Sequence, residues 1–249
     1  MWPFAPRCPV DPAAKAWIED GLTWLSHEFD RTTFTRRAVL RPREDFFPDG
    51  LTGDADGAQT LLTQTAAYMD ADAFGLRLHI IEEEPDVEVV DRVSRPVQLD
   101  RPETDGWDPA DDPDAILFTR PELADVPAVI ATLARELAYR LLVEAGLRNG
   151  DEADCDLLAD LVAAFHGFGV FVGNHALYEE PNGYWPGTSL VRPRAMTLPM
   201  HAHTLAHAAW HRGDRRPEWL GELTGDLRAN AKPAIAYLFA TGDSAFGIA

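Results

Sequence analysis

The sequence is poor in cysteine, in lysine and in long apolar runs, and each shortage excludes something. Cys8 and Cys155 are the only cysteines, too few for a disulfide framework and too far apart for a Cys-x-x-Cys metal motif. Both are expected to be reduced thiols of minor structural weight. Lys15 and Lys232 are the only lysines, and the arginines are scattered, so no basic stripe can release counterions from a nucleic acid. No run of about 18 uninterrupted apolar residues occurs, and Met1 to Pro12 lacks the apolar core of a signal peptide. The expectation is a cytoplasmic protein with neither nucleic acid nor membrane as partner.

Acid is what the chain has in excess. Its 249 residues carry 41 Asp and Glu against 22 Lys and Arg, a formal charge of −19, and such a surface repels phosphate and anionic lipid. Apolar residues make up 46% and charged residues 25%, close to globular averages, so a sizeable core can form.

Periodicity and end signals predict the elements. Asp11 and Pro12 start a helix over roughly 12–29, with Ile18, Leu22, Leu25 and Phe29 at helical spacing. Ala38-Val39-Leu40 reads as a short strand, 54–69 as a second helix, and 76–81, 87–93 and 115–119 as further strands. The Asp, Pro and Gly of 100–114 describe a solvated loop. Asp125 can cap a long helix ending near Gly146, a second apolar helix follows over about 152–173, and helices near 197–212, 217–223 and 226–240 fill the tail. The predicted class is α+β: residues 1–249 as a single domain, with an α/β front half (1–120) and a helical half (121–249).

The chemistry-bearing stretch is Arg135-Glu136-Leu137-Ala138-Tyr139. It resembles the active-site helix of zincin metallopeptidases, where His-Glu-x-x-His grips one zinc from a single helical face and the Glu polarises the bound water. Both histidine positions are changed here, to Arg135 and Tyr139. Further on, Asp156-Leu157-Leu158-Ala159-Asp160 resembles the Glu-x-x-x-Asp element of the gluzincin branch, in which the Glu is the third ligand and the Asp orients a liganding histidine.

The likeness extends to an uncharacterised bacterial zincin-like family. There a helix of the form Leu-x-Asp-Leu-x-x-x-Phe-x-Gly-x-Gly-x-Phe-x-x-Asn follows the motif helix; this chain has Leu158, Asp160, Leu161, Phe165, Gly167, Gly169, Phe171 and Asn174 in that order. Trp2-Pro3-Phe4, Asp45-Phe46-Phe47-Pro48, Tyr237-Leu238-Phe239 and Thr241-Gly242-Asp243 carry the similarity over most of the chain. The resemblance implies a zincin-like fold with a degenerate site at Arg135, Glu136, Tyr139, Asp156 and Asp160. An arginine cannot ligate zinc, because its guanidinium keeps its protons and offers only donors. Arg135 would instead replace the lost metal charge among the carboxylates, with the Tyr139 hydroxyl as a further donor.

The expected function is therefore that of a catalytically inactive, metal-free pseudopeptidase that binds a peptide or protein, with no cofactor and with oligomeric state open. The alternative is a metal-dependent hydrolase with an altered site and Glu136 as general base. The competing plain reading of 135–139 is an ordinary amphipathic helix.

Three other features carry alternatives. His203, His207 and His211 recur every four residues, beside His201, and such a ladder can hold zinc or nickel through an i, i+4 pair; the plain reading is a solvated polar face. His166 and His175 are read as packing or surface residues. The glycines of 167–173 are read as close helix packing, since no strand precedes them to make a nucleotide loop. Tyr178, Tyr184 and Trp185 lie in a Pro- and Gly-rich stretch that can serve as a binding loop or close over the core as a lid.

Overall fold

The computed structural model describes residues 6–81, 114–146, 155–176, 178–181, 188–191 and 196–247, the two short segments at 178–181 and 188–191 by their backbone alone. The fold is mostly helical, with a small two-stranded parallel sheet and a β-hairpin, which places it in the α+β class. Two compact units emerge: Met1–Arg41 with Ala138–Ala249, and Pro42–Leu137. The expected strand at 87–93 and the loop at 100–114 fall outside the described residues, apart from Asp114.

In the 42–137 unit, α3 (Ala55–Met69) starts at Asp54, whose carboxylate accepts from the Gly57 N–H at 2.8 Å. Leu61, Leu62 and Met69 form its buried stripe, and the Tyr68 hydroxyl donates to the Phe46 carbonyl at 2.8 Å. Strands β1 (Arg77–Ile81) and β2 (Ala115–Thr119) pair in parallel, Arg77 against Ala115. A 3-10 turn, Arg120–Ala124, leads to α4 (Val126–Glu144). Asp125 accepts from the Ala128 N–H at 3.2 Å, the cap that the sequence predicts. The division between units falls within α4, after Leu137.

In the other unit, α1 (Pro12–Glu28) is capped by Asp11, which accepts from the Ala13 and Ala14 N–H groups at 3.0 and 2.9 Å. A short helix that periodicity does not signal, α2 (Arg31–Arg36), follows. Its threonines are poor helix formers; the Asp30 cap and the burial of Phe34, stacked 5.6 Å from Phe165, decide the outcome. The expected strand at 38–40 does not form. The segment has no regular structure, and the Leu40 N–H donates to the Gly167 carbonyl at 2.9 Å, so it ties to a helix bend instead of a sheet.

The predicted single helix over 152–173 is broken. α5 (Cys155–Ala163) passes through a wide π turn at Ala164–Phe168 into α6 (Gly169–Asn174). Gly167 makes the bend with φ 103°, a region L side chains avoid. A Cβ there would stand 2.7 Å from the Ala38 carbonyl oxygen. Gly173 is a site of close approach: a Cβ would lie 2.8 Å from a Leu227 methyl, in line with the packing expected of these glycines. Cys155–Asn174 has the length and hydropathy of a membrane span, yet 89% of that window is buried inside the fold, so it is a core segment.

Strands β3 (Tyr178–Pro181) and β4 (Thr188–Val191) form an antiparallel hairpin where a loop was expected. α7 (Leu198–His211), a 3-10 turn at Glu218–Gly221 and α8 (Gly225–Thr241) complete the chain, α7 packing along α8 and α1. Two polar ties fix this arrangement. The Asn174 amide donates to the Glu222 carbonyl and accepts from the Thr224 N–H, both at 2.8 Å. The half-buried Arg212 guanidinium donates to the carbonyls of Ala208 and Phe34 at 2.7 Å and to that of Arg37.

Candidate functional site

α4 carries the degenerate motif on a helix whose Leu133, Ala134, Leu137, Ala138 and Leu142 are buried. Arg135, Glu136 and Tyr139 are half-buried. Arg135 and Glu136 belong to the 42–137 unit, whereas Tyr139, Asp156 and Asp160 belong to the other. Asp156 is half-buried in the first turn of α5.

Asp160, one turn on, is fully buried in an apolar helix, a placement that costs several kcal/mol unless its charge is answered. Its Oδ2 accepts from the Met196 N–H at 3.1 Å and lies 3.5 Å from His201 Nε2. The carboxylate therefore serves the junction of α5 with α7 and the residues before it. His201 is itself buried, and apart from this ion-pair contact with Asp160 its ring nitrogens make no hydrogen bond among the described residues.

The histidine ladder sits where a solvated face was expected, and it is not solvated. His203 and His207 are both 0% exposed, because the α7 face that carries them packs on α1. Their rings meet at 4.6 Å, nearly perpendicular. Facing them is Glu19 of α1, only 2% exposed. Its Oε1 lies 3.4 Å from His207 Nε2 and 3.9 Å from His203 Nε2. His211 stands apart from this set, half-buried with its ring 4.7 Å from that of Phe246.

Polar atoms around the trio hold it in place. Glu19 Oε2 accepts from Lys15 Nζ and from the Ala245 N–H, each at 3.0 Å. Lys15 also reaches Asp243 at 3.3 Å, and Asp243 accepts from the Tyr237 hydroxyl. His207 Nδ1 lies 2.9 Å from the His203 carbonyl and Nε2 lies 3.0 Å from Ser244 Oγ. A carbonyl only accepts, so Nδ1 carries a proton there.

The electrostatics follow from this packing. Burial raises the Glu19 carboxyl, but the facing His207 ring, the Ala245 N–H and Lys15 outweigh it and hold it at about 2. Burial, reinforced by the neighbouring His207, pushes His203 down to about 3. The site thus offers an ionised carboxylate and at least one neutral imidazole near pH 7.

Sequence reasoning missed Glu19. The available signal was its position beside Ile18 on the same helical stripe as Leu22, where a charge needs an answer. His166 packs as expected, buried with its ring 5.3 Å from Phe29. His175 is half-buried, with Nδ1 2.8 Å from the Phe171 carbonyl. Of the aromatic binding stretch, Tyr178 lies on β3, while Tyr184 and Trp185 lie outside the described residues.

Comparison with family models, with curated proteins and with solved structures finds no match.

Proposed function

We propose that the chain is a zincin-like scaffold without peptidase chemistry, acting in the cytoplasm as a peptide- or protein-binding protein. The observation that carries this reading is the state of the acidic positions on α5. Asp160, at the place of the gluzincin carboxylate that orients a zinc-bound histidine, is committed to the Met196 N–H and to His201. On α4 the two ligand positions hold Arg135 and Tyr139, neither of which can lend zinc an imidazole. Support for a binding role comes from the β3–β4 hairpin, a two-stranded sheet among the described residues; an extended peptide can add to such an edge through backbone hydrogen bonds.

The test is hydrolysis of a fluorogenic peptide library with zinc supplied. No cleavage above background is expected, from the native chain or from Glu136→Gln. Cleavage that Glu136→Gln abolishes would overturn the reading in favour of a metal-dependent hydrolase with Glu136 as its general base.

A further inference from the structure

We propose that Glu19, His203 and His207 form a buried divalent transition-metal site of the zinc class, held between α1 and α7 and serving structure. It departs from the expectation of a protein without a metal, and it replaces the ladder of His203, His207 and His211 by a set whose third member comes from another helix.

The first argument is unanswered lone pairs. Among the described residues, Glu19 Oε1 and both ring nitrogens of His203 are buried and make no hydrogen bond. Buried polar atoms are almost always partnered, and here several gather in one place. The Ser244 hydroxyl sharpens the point. It donates to the Phe246 carbonyl at 3.1 Å, so the oxygen turned to His207 Nε2 at 3.0 Å presents a lone pair. A proton on Nε2 answers that nitrogen and its oxygen neighbours but leaves His203 without a partner. One cation answers Glu19 Oε1 and one ring nitrogen each of His203 and His207 together.

The second argument is spacing. One ligand atom from each of the three residues lies within 4.8 Å of the others, with Glu19 Oε1 at 3.4 and 3.9 Å from the two Nε2 atoms. Zinc with bonds of about 2.0–2.1 Å in tetrahedral geometry sets its donors about 3.3 Å apart. Side-chain movements, about 0.6 Å for the 3.9 Å pair, bring these three donors toward the spacing of such a site.

The third argument is the outer shell. Metal-bound histidines generally donate their other ring N–H to a carbonyl or carboxylate, and ligating carboxylates are themselves hydrogen-bonded. His207 Nδ1 donates to the His203 carbonyl, and Glu19 is oriented through Oε2 by Lys15 and the Ala245 N–H, which leaves Oε1 to ligate. Two imidazoles and a carboxylate suit zinc and its first-row neighbours, and are the wrong donors for calcium or magnesium. With all three ligands at most 2% exposed, no coordination position faces solvent. The ion would pin α1 to α7, and through Ala245 and Ser244 to the C-terminal turn.

The full chain, purified without a polyhistidine tag, is loaded with zinc, dialysed into metal-free buffer and assayed for bound metal. One equivalent is expected to remain, with a rise in thermal midpoint that a chelator reverses, and cobalt in its place is expected to give the visible bands of tetrahedral nitrogen and oxygen ligation. Glu19→Gln and His207→Gln should each lose the metal, while His211→Gln and Glu136→Gln keep it. If either loss variant fails to fold, the native chain still decides, through zinc-dependent slowing of exchange at the Ala245 amide. Folded native protein that retains no zinc overturns the proposal, as does retention by both Glu19→Gln and His207→Gln, or loss only in Glu136→Gln. The reading of α4 stands or falls separately, on peptide cleavage.

Discussion

The His207 Nδ1–H donates to the carbonyl of His203, 2.9 Å away and one helical turn earlier. That bond fixes the ring so that Nε2 points at Glu19 Oε1 and Ser244 Oγ. Truncating it in His207→Ala leaves a buried carboxylate without its facing group, and the expected loss is about 3 kcal/mol. Urea unfolding of the metal-free protein measures it; a loss below about 1 kcal/mol would show that the ring does not hold Glu19.

Stability should fall on mild acidification through His211. Burial, then the neighbouring His207 ring and the Arg31 and Arg212 guanidinium groups, outweigh the Phe246 backbone and push this ring down to about 4 from 6.5. The unfolded chain therefore takes up a proton between pH 6.5 and 4 that the folded chain refuses. The contribution is present above pH 6.5 and declines as pH falls toward 4, by about 2 kcal/mol for a half-buried group. Urea midpoints at pH 7 and pH 4.5 read the slope, and His211→Gln should flatten it.

Gly167→Ala should be among the most damaging single-methyl changes. The position needs φ 103°, and the new Cβ would stand 2.7 Å from the Ala38 carbonyl oxygen. Strain and clash together cost about 3 kcal/mol, seen as a lower thermal midpoint. A stable alanine variant would show that the α5–α6 bend can be redrawn.

Arg212→Met should cost about 2–4 kcal/mol. The guanidinium answers the carbonyls of Ala208, Phe34 and Arg37, and an apolar replacement leaves them unanswered. Arg212→Lys should recover only part of the loss, because an ammonium lacks the planar fork that spans separate acceptors.

The zincin-like reading of α4 predicts that Arg135→His with Tyr139→His adds a second equivalent of zinc, and that Arg135→His alone does not. Two imidazoles four residues apart are needed to grip one ion from a helix. Metal content of the folded double variant is the readout, and its failure to gain zinc would count against the ancestry.

Long elements were legible in the sequence because their signals are local. α1, α3, α4, α7 and α8 combine an apolar stripe with end signals, and β1 and β2 are short apolar runs. α2 was not legible, since its threonine-rich six residues gain their stability from Phe34 packing on Phe165. The break at Gly167 was hidden in a continuous apolar run, where glycine reads equally well as a packing residue.

The sequence by itself determined that His203 and His207 share one helical face, because residues four apart on a helix must. Only the packing of α1 on α7 decided that this face is dry and that Glu19 meets it. Helical periodicity is a property of neighbours along the chain, whereas the pairing of two helices depends on which apolar stripes interlock. That choice carries the carboxylate of one to the imidazoles of the other.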